Sequence, residues 1–302
     1  MYVLLDALTI VDVVGSDAVA ILNNLCTADI KRLQVGLGVE GFVTEVRGRT
    51  VGHVCLYLHD DRLRLIGAPD QTERLIAHID RYIIREQAQP EDQASSWTAY
   101  LVSGENARRL ADAWKLSPGE SPHLSFTAAP DPLADTLVYQ VPWTGPAVWL
   151  CLTPTESPTD LEAAFASLSL TRGTLSDFHA QRVLAGYPWF GSDVDESNLP
   201  QEADRNEEAI SFTKGCYLGQ ETVARLDALG QVQKKLVHWQ IDTTAPIVPG
   251  TELLSGDKKV GKITSTALFG DHTLAIGYAR RSHFDPGSTA DCDGHQAMVV
   301  QR

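Results

Sequence analysis

Apolar positions in the first two-thirds of the chain alternate between runs with the period of a strand and stripes with the period of a helix. Residues 11–14 read as a strand and Gly15-Ser16-Asp17 as a capping turn, and Ala18, Ile21, Leu22 and Leu25 form one helical face. Residues 41–44 and 50–58 read as two strands joined by a turn at Arg47-Gly48-Arg49. Asp70 and Glu73 open a helix whose stripe is Leu75, Ile76, Ile79, Tyr82 and Ile83. After a Pro-, Ser- and Thr-rich stretch, the pattern predicts strands at 137–141 and 147–152 and a helix at 160–168. A further helix begins near Ser176 and is stopped by Gly186 and Pro188.

The segment 102–110 aligns without gaps to 13–21, each copy being a strand, a Gly-containing turn, an Asp or Asn, and an amphipathic helix. Strand–turn–helix units often look alike, and the alternative is a true repeat that makes two related α+β subdomains. From Val237 the pattern changes to short strands at 237–241, 251–254, 259–267, 274–279 and 296–301, divided by Pro249-Gly250, Gly256-Asp257, Gly270-Asp271 and Asp285-Pro286-Gly287. That spacing predicts a small barrel. The expected fold class is therefore α+β, a body over 1–235 built from two related subdomains and a C-terminal β-barrel over 236–302.

Composition narrows the class further. The 302 residues are 43% hydrophobic and 21% charged, ordinary globular usage. Lys+Arg 25 against Asp+Glu 39 gives a net charge of −14, which argues against broad nucleic-acid binding, since phosphate contacts need cations. No apolar run approaches the roughly 20 residues of a membrane span, and the start lacks a basic n-region. The cysteines Cys26, Cys55, Cys151, Cys216 and Cys292 are scattered without a C-x-x-C pair, so neither a disulfide framework nor a metal site is expected. The expected location is cytoplasmic.

The most unusual segment is Lys214-Gly215-Cys216-Tyr217-Leu218-Gly219-Gln220-Glu221, followed by a helical stretch with Val223 and Leu226 on its apolar side. A cysteine just ahead of a helix N-terminus, with a lysine two residues back, is placed to favour thiolate. The alternative is a small buried residue in a glycine-rich turn. Lys214 and Arg225 could equally be solvated charges, and Gln220-Glu221 an ordinary first helical turn.

Residues 212–225 closely resemble the Lys-Gly-Cys-(Tyr/Phe)-x-Gly-Gln-Glu signature of the YgfZ-type proteins, folate-binding relatives of the glycine-cleavage aminomethyltransferase. A mitochondrial branch of this family acts in iron–sulfur cluster maturation. The resemblance extends to Val13-x-Gly15-x-Asp17-Ala18, to Arg182-x-x-x-Gly186-x-Pro188, and to Gly261-Lys262-Ile263-Thr264-Ser265 with Ile276-Gly277-Tyr278-Ala279. It covers essentially the whole chain. It implies an aminomethyltransferase-like ring around a tetrahydrofolate pocket, for which Tyr187 and Trp189 are candidate ring walls and Lys214 and Arg225 candidate partners of the anionic tail. Cys216 is the candidate reactive thiol.

Two departures from the family pattern matter. Where the aminomethyltransferases carry an acidic pair, this chain has Gly52 and His53, so one-carbon transfer loses its electrostatic partner and proton acceptor. His53 is left either as a general base or as a locally hydrogen-bonded histidine. Leu184 stands where relatives often place a pterin-binding glutamate, and it has no acceptor. The resemblance then implies a folate-binding accessory protein for iron–sulfur cluster assembly or repair, indirectly linked to tRNA modification. Its partners would be cluster proteins or their assembly factors. The alternatives are a tetrahydrofolate-dependent aminomethyl or methyl transferase or demethylase, and a non-enzymatic folate sensor.

Overall fold

The computed structural model describes residues 1–156, 158–229 and 232–301. In chain order the body contains β1 (Tyr2–Leu5), β2 (Thr9–Val14), α1 (Ala18–Leu25), β3 (Leu37–Thr44), β4 (Thr50–Leu58), β5 (Arg62–Gly67), α2 (Thr72–Arg81) and β6 (Gln89–Asp92). There follow β7 (Trp97–Val102), α3 (Gly104–Trp114), β8 (His123–Ala128), β9 (Leu137–Gln140), β10 (Trp149–Pro154), α4 (Pro158–Ser167) and α5 (Leu175–Ala185). Two further helices, α6 (Asn206–Ala209) and α7 (Gln220–Leu229), lead to the last unit.

The ten body strands form one antiparallel sheet in the order β1-β7-β10-β9-β8-β3-β4-β5-β2-β6. Read inward from its two edges, the sheet has the same plan twice. The strands β6-β2-β5-β4-β3 match β1-β7-β10-β9-β8, with α1 and α3 after the equivalent strands β2 and β7, and α2 and α4 after β5 and β10. This is the duplication that the alignment of 102–110 with 13–21 predicts. The edge place of β6 is filled in the second half by β1 from the start of the chain, which ties the halves together. The seam is the pairing of β3 with β8, where Gly38 faces Leu124 and Val39 faces His123.

The halves are also locked by a buried polar link. Asp12 on β2 receives Nε and Nη2 of Arg64 on β5, both at 2.7 Å, and Nη1 of Arg64 donates to the Tyr139 hydroxyl on β9 at 3.1 Å. A buried pair holds only when its remaining hydrogen-bonding sites are filled, and here the second half fills one.

The strands β11 (Lys234–Ile241), β12 (Glu252–Ser255), β13 (Lys258–Phe269), β14 (His272–Arg280), β15 (Thr289–Cys292) and β16 (His295–Val300) close into a barrel in the order β11-β14-β13-β12-β15-β16. Val237, Trp239, Ile241, Leu253, Ile263 and Val299 fill it. Among the described residues no helix is long and apolar enough to cross a membrane.

Two sequence motifs meet where the barrel joins the body. Arg182 on α5 donates Nη1 to Asp193 at 2.5 Å and to the Tyr187 carbonyl at 2.8 Å, and Nη2 to the Ser265 hydroxyl at 2.8 Å. Asp193 accepts in turn from Thr264 at 2.5 Å and Ser265 at 2.7 Å, and Tyr278 donates to the Asp193 carbonyl. Arg182 therefore belongs to a buried clamp between body and barrel.

Candidate functional site

Strand β3 is buried along nearly its whole length, so Glu40 within it needs compensation for its charge. Arg205, just before α6, supplies most of it, with Nε at 2.9 Å from Oε1 and Nη2 at 2.5 Å from Oε2. His53 on β4 places Nε2 at 2.8 Å from Oε1. Burial works to raise the Glu40 carboxyl, but the Arg205 guanidinium and the hydrogen bonds from Arg205 and His53 outweigh it and hold the group at about 2. An ionised carboxylate can only accept, so His53 carries its proton on Nε2.

The ring of His53 is equally confined. Phe42, its cross-strand partner, stacks on one face at 4.4 Å, and Tyr187 covers the other at 5.4 Å. The Arg205 guanidinium lies 5.3 Å from the Tyr187 ring centroid. His53 is thus hydrogen-bonded locally and covered on both faces, and the carboxylate it meets, Glu40, stands on the neighbouring strand β3.

Glu40 and Arg205 of this cluster lie in one wall of a cleft of about 470 Å³ over the seam of the two half-sheets. Pro118, Pro122, Leu124, Pro142 and Pro146 give it rigid apolar sides, and Glu40, Arg205, Glu208 and His123 are its charged or titratable residues. Gln140 shapes the rim, accepting from the backbone of Gly119 at 2.7 Å and donating to the Pro146 carbonyl at 2.9 Å. Glu208 receives Arg205 Nη1 on Oε1 at 3.3 Å. A second hollow shares Pro122, His123 and Glu208 with the cleft and runs along Ser211 and Thr213, toward the Lys214–Glu221 motif.

That motif is pinned to the first half-sheet at both ends. Lys214 is buried, and its Nζ donates to the carbonyls of Asn23 and Cys26 at 2.7 Å and Ala28 at 2.5 Å, at the C-terminal end of α1, where helix carbonyls lack partners. The Leu218 backbone N donates to Asn24 at 2.8 Å, and the Thr44 hydroxyl donates to the Leu218 carbonyl at 2.7 Å. Gly219, at φ 80, packs against the Glu45–Arg49 turn so closely that a Cβ would fall 2.4 Å from the Glu45 carbonyl oxygen and 2.5 Å from Gly48 Cα. Between these anchors Gly215 borders open space and Cys216 is exposed.

The other four cysteines are buried, and burial raises each thiol, Cys292 to about 11. Of the motif's other members, Tyr217 is buried with the Lys214 ammonium 5.2 Å from its ring, while Gln220 and Glu221 open α7.

The remaining candidates are dispersed. Tyr187 is buried in the His53 stack, and Trp189 packs edge-on against Trp143 at 5.2 Å and Phe178 at 5.2 Å, so neither ring is among the walls of the cleft. Arg225 is exposed on α7 and Lys214 is held beneath α1, so neither side chain lines the cleft. Leu184 is exposed beside Ala185, which does line it. Glu40, Arg205 and Glu208 escaped the sequence reading. Glu40 alone carried a signal, a charge inside the apolar run Val39-Glu40-Gly41-Phe42-Val43.

A duplicated antiparallel body with a cleft on its seam and a barrel clamped behind it defines an aminomethyltransferase-like fold. Residues 5–213 match the GCVT N-terminal domain family, and the chain belongs to it. The chain superimposes on the glycine cleavage system aminomethyltransferase T of Bartonella henselae with a TM-score of 0.84 over 99% of this chain and 84% of that one, at 18% identity. It is 23% identical over 289 residues to a chloroplastic protein of Arabidopsis thaliana named only as a candidate transferase, covering 91% of this chain and 64% of that one. It is 28% identical over 271 residues to a mitochondrial iron–sulfur cluster assembly factor, an IBA57 homologue, of Neurospora crassa, covering 80% of this chain and 54% of that one. The tRNA-modifying protein YgfZ of Yersinia pestis is 22% identical over 278 residues, covering 90% and 82%. The chain thus spans about two-thirds or less of the Arabidopsis and Neurospora proteins.

Proposed function

We propose that this protein binds a reduced folate in the cleft over the seam and acts as an accessory factor in assembling or repairing iron–sulfur clusters, with Cys216 as its contact or reactive residue. The cleft suits the ligand in size and chemistry. Flat proline-rich walls receive a heteroaromatic ring, and Glu208 offers a carboxylate to its amino and ring N–H groups. The observation that carries the accessory reading is the state of Glu40. Arg205 and His53 engage both of its oxygens and hold the carboxyl below the ordinary glutamate range, which weakens it as the general base of a one-carbon transferase. The exposure of Cys216, against four buried cysteines, supports the cluster-directed role.

Calorimetry with tetrahydrofolate tests the first half of the proposal. Binding is expected, and Glu208→Ala is expected to weaken it about tenfold or more, the loss of a charge-assisted hydrogen bond. No heat at millimolar ligand overturns the folate reading. Cells carrying Cys216→Ser in place of the wild-type protein test the second half, and their cluster-dependent enzymes are expected to lose activity while folate binding persists. Unchanged cluster-enzyme activities would remove the cluster role.

A further inference from the structure

The chain is strongly acidic, yet one concavity on the barrel is the reverse. A groove of about 580 Å³ is lined by Gln233, Lys234, Lys259, Gly261, Lys262, Tyr278, Ala279, Arg280, Arg281 and Ser282, with five cations and no carboxylate. The side chains come from adjacent strands. In the register of the barrel Lys262 on β13 sits opposite Tyr278 on β14, and Arg280, two residues on and so on the same face, sits opposite Lys234 on β11. Directly opposed like charges destabilise a sheet. Lys234 is partly relieved by Glu202 at 3.3 Å, and Lys259 by Glu252 at 2.5 Å. Lys262, Arg280 and Arg281 are exposed; Lys262 and Lys234 lie within the field of Asp195, whose carboxyl they help to lower, while Arg280 and Arg281 make no ion pair among the described residues.

Beneath the groove Gly261 lies so near the Tyr278 carbonyl oxygen and Leu253 of the barrel core that a Cβ would fall 2.4 Å from the first and 2.9 Å from the second, so β13 and β14 pack closely there. The Tyr278 ring is held in place through its hydroxyl, which donates to the Asp193 carbonyl at 2.7 Å, and the Lys234 ammonium lies 4.7 Å from the ring centroid. This is a concave surface whose lining is cationic, with its carboxylates at the margin, and such a surface concentrates anions by its field. The folate cleft lies over the seam of the body and shares none of these residues.

We propose that the barrel groove is a second binding site, for a ligand bearing consecutive phosphate groups. Arginine forks and lysine point charges together suit phosphate oxygens, and Lys262, Arg280 and Arg281, three exposed cations of the groove, match a short phosphate chain. The chain can belong to a small polyphosphate or to a single nucleic-acid strand. The net charge speaks against broad nucleic-acid binding by the whole surface, and the groove is a local exception to it.

The test is equilibrium binding to the full chain of two probes, tripolyphosphate and a fluorescently labelled single-stranded oligonucleotide, from about 50 mM salt upward. Binding of at least one probe is expected, and the Lys262→Gln/Arg280→Gln double variant is expected to weaken it at least about tenfold. Arg281→Gln should weaken it less, and Arg108→Gln, on a remote exposed helix, not at all. These are exposed side chains, and matching thermal melts establish that the variants fold. Tight oligonucleotide binding with a log–log salt slope of about −2 assigns the groove to a strand, since single strands lose about 0.7 per phosphate contact. Saturation by tripolyphosphate alone assigns it to a small ligand. Failure of both probes to bind, binding unchanged in the double variant, or equal competition by a glutamate peptide of the same charge would each overturn the proposal.

Discussion

Replacing Glu40 by Gln removes the charge around which Arg205 and His53 are arranged, and its effect can be worked from the structure. The carboxyl is displaced from the ordinary glutamate range to about 2. At about 1.4 kcal/mol for each tenfold change in proton affinity, that displacement makes the ionised group worth about 3 kcal/mol to the folded state at neutral pH. The figure agrees with the roughly 3–5 kcal/mol lost when one partner of a buried pair is removed. The sign follows from the direction of the displacement. The unfolded chain takes up this proton first as pH falls, so the contribution is complete above the ordinary glutamate range and is lost as pH falls through about 2. Urea denaturation at several pH values, followed by tryptophan fluorescence, reads it directly. Glu40→Gln should be about 3 kcal/mol less stable near neutrality, and the gap should narrow as pH drops below about 4.5. Adding Arg205→Met to the variant should recover part of the loss, because the orphaned charge is then gone. A gap under about 1 kcal/mol at neutral pH, or one that does not narrow in acid, would refute the reasoning.

Two further predictions concern structure-bearing motif residues. Gly219→Ala should destabilise by about 2 kcal/mol or more, through positive φ and the clash with the Glu45–Arg49 turn, whereas Gly215→Ala, facing open space, should cost under about 1 kcal/mol in the same urea titration. Arg182→Ala should cost about 3–5 kcal/mol by leaving Asp193 buried beside Thr264 and Ser265, and limited proteolysis should cut sooner at the body–barrel junction. Unaltered protease resistance would mean that the clamp does not hold the barrel.

Periodicity made much of this fold legible. The strand at 50–58 and the helix at 18–25 appear with the bounds that their patterns gave, because each packs one regular face on a neighbour. Two of the strands that escaped notice have a local reason. β5 carries Arg62 and Arg64 at alternate places, and the second is a core residue paired with Asp12, so its polarity masks its burial. β6 reads Gln-Pro-Glu-Asp and is an edge strand, where proline and charge are tolerated. β1 crosses to the far half, a pairing that local pattern cannot reveal. The site was legible only as a motif. Its cleft is built by Glu40, His123, Gln140 and Arg205, residues far apart in sequence that meet because β3 and β8 pair.

The same separation explains how the Lys214–Glu221 motif divides its labour. Lysine two residues from a cysteine suggested thiolate stabilisation, but a buried ammonium needs several acceptors, and carbonyls in the last turn of α1 and just after it supply three. Glycine beside a cysteine suggested freedom at the thiol, and Gly215 does border open space. Gly219 instead lets the backbone press into the β3–β4 turn, which fixes the far end of the loop. A loop held at both ends and open in the middle presents its side chain at little further entropic cost. Cys216 occupies that middle position. Lys214, Leu218 and Gly219 around it therefore hold the loop in place, and Cys216 is the side chain they leave exposed between them.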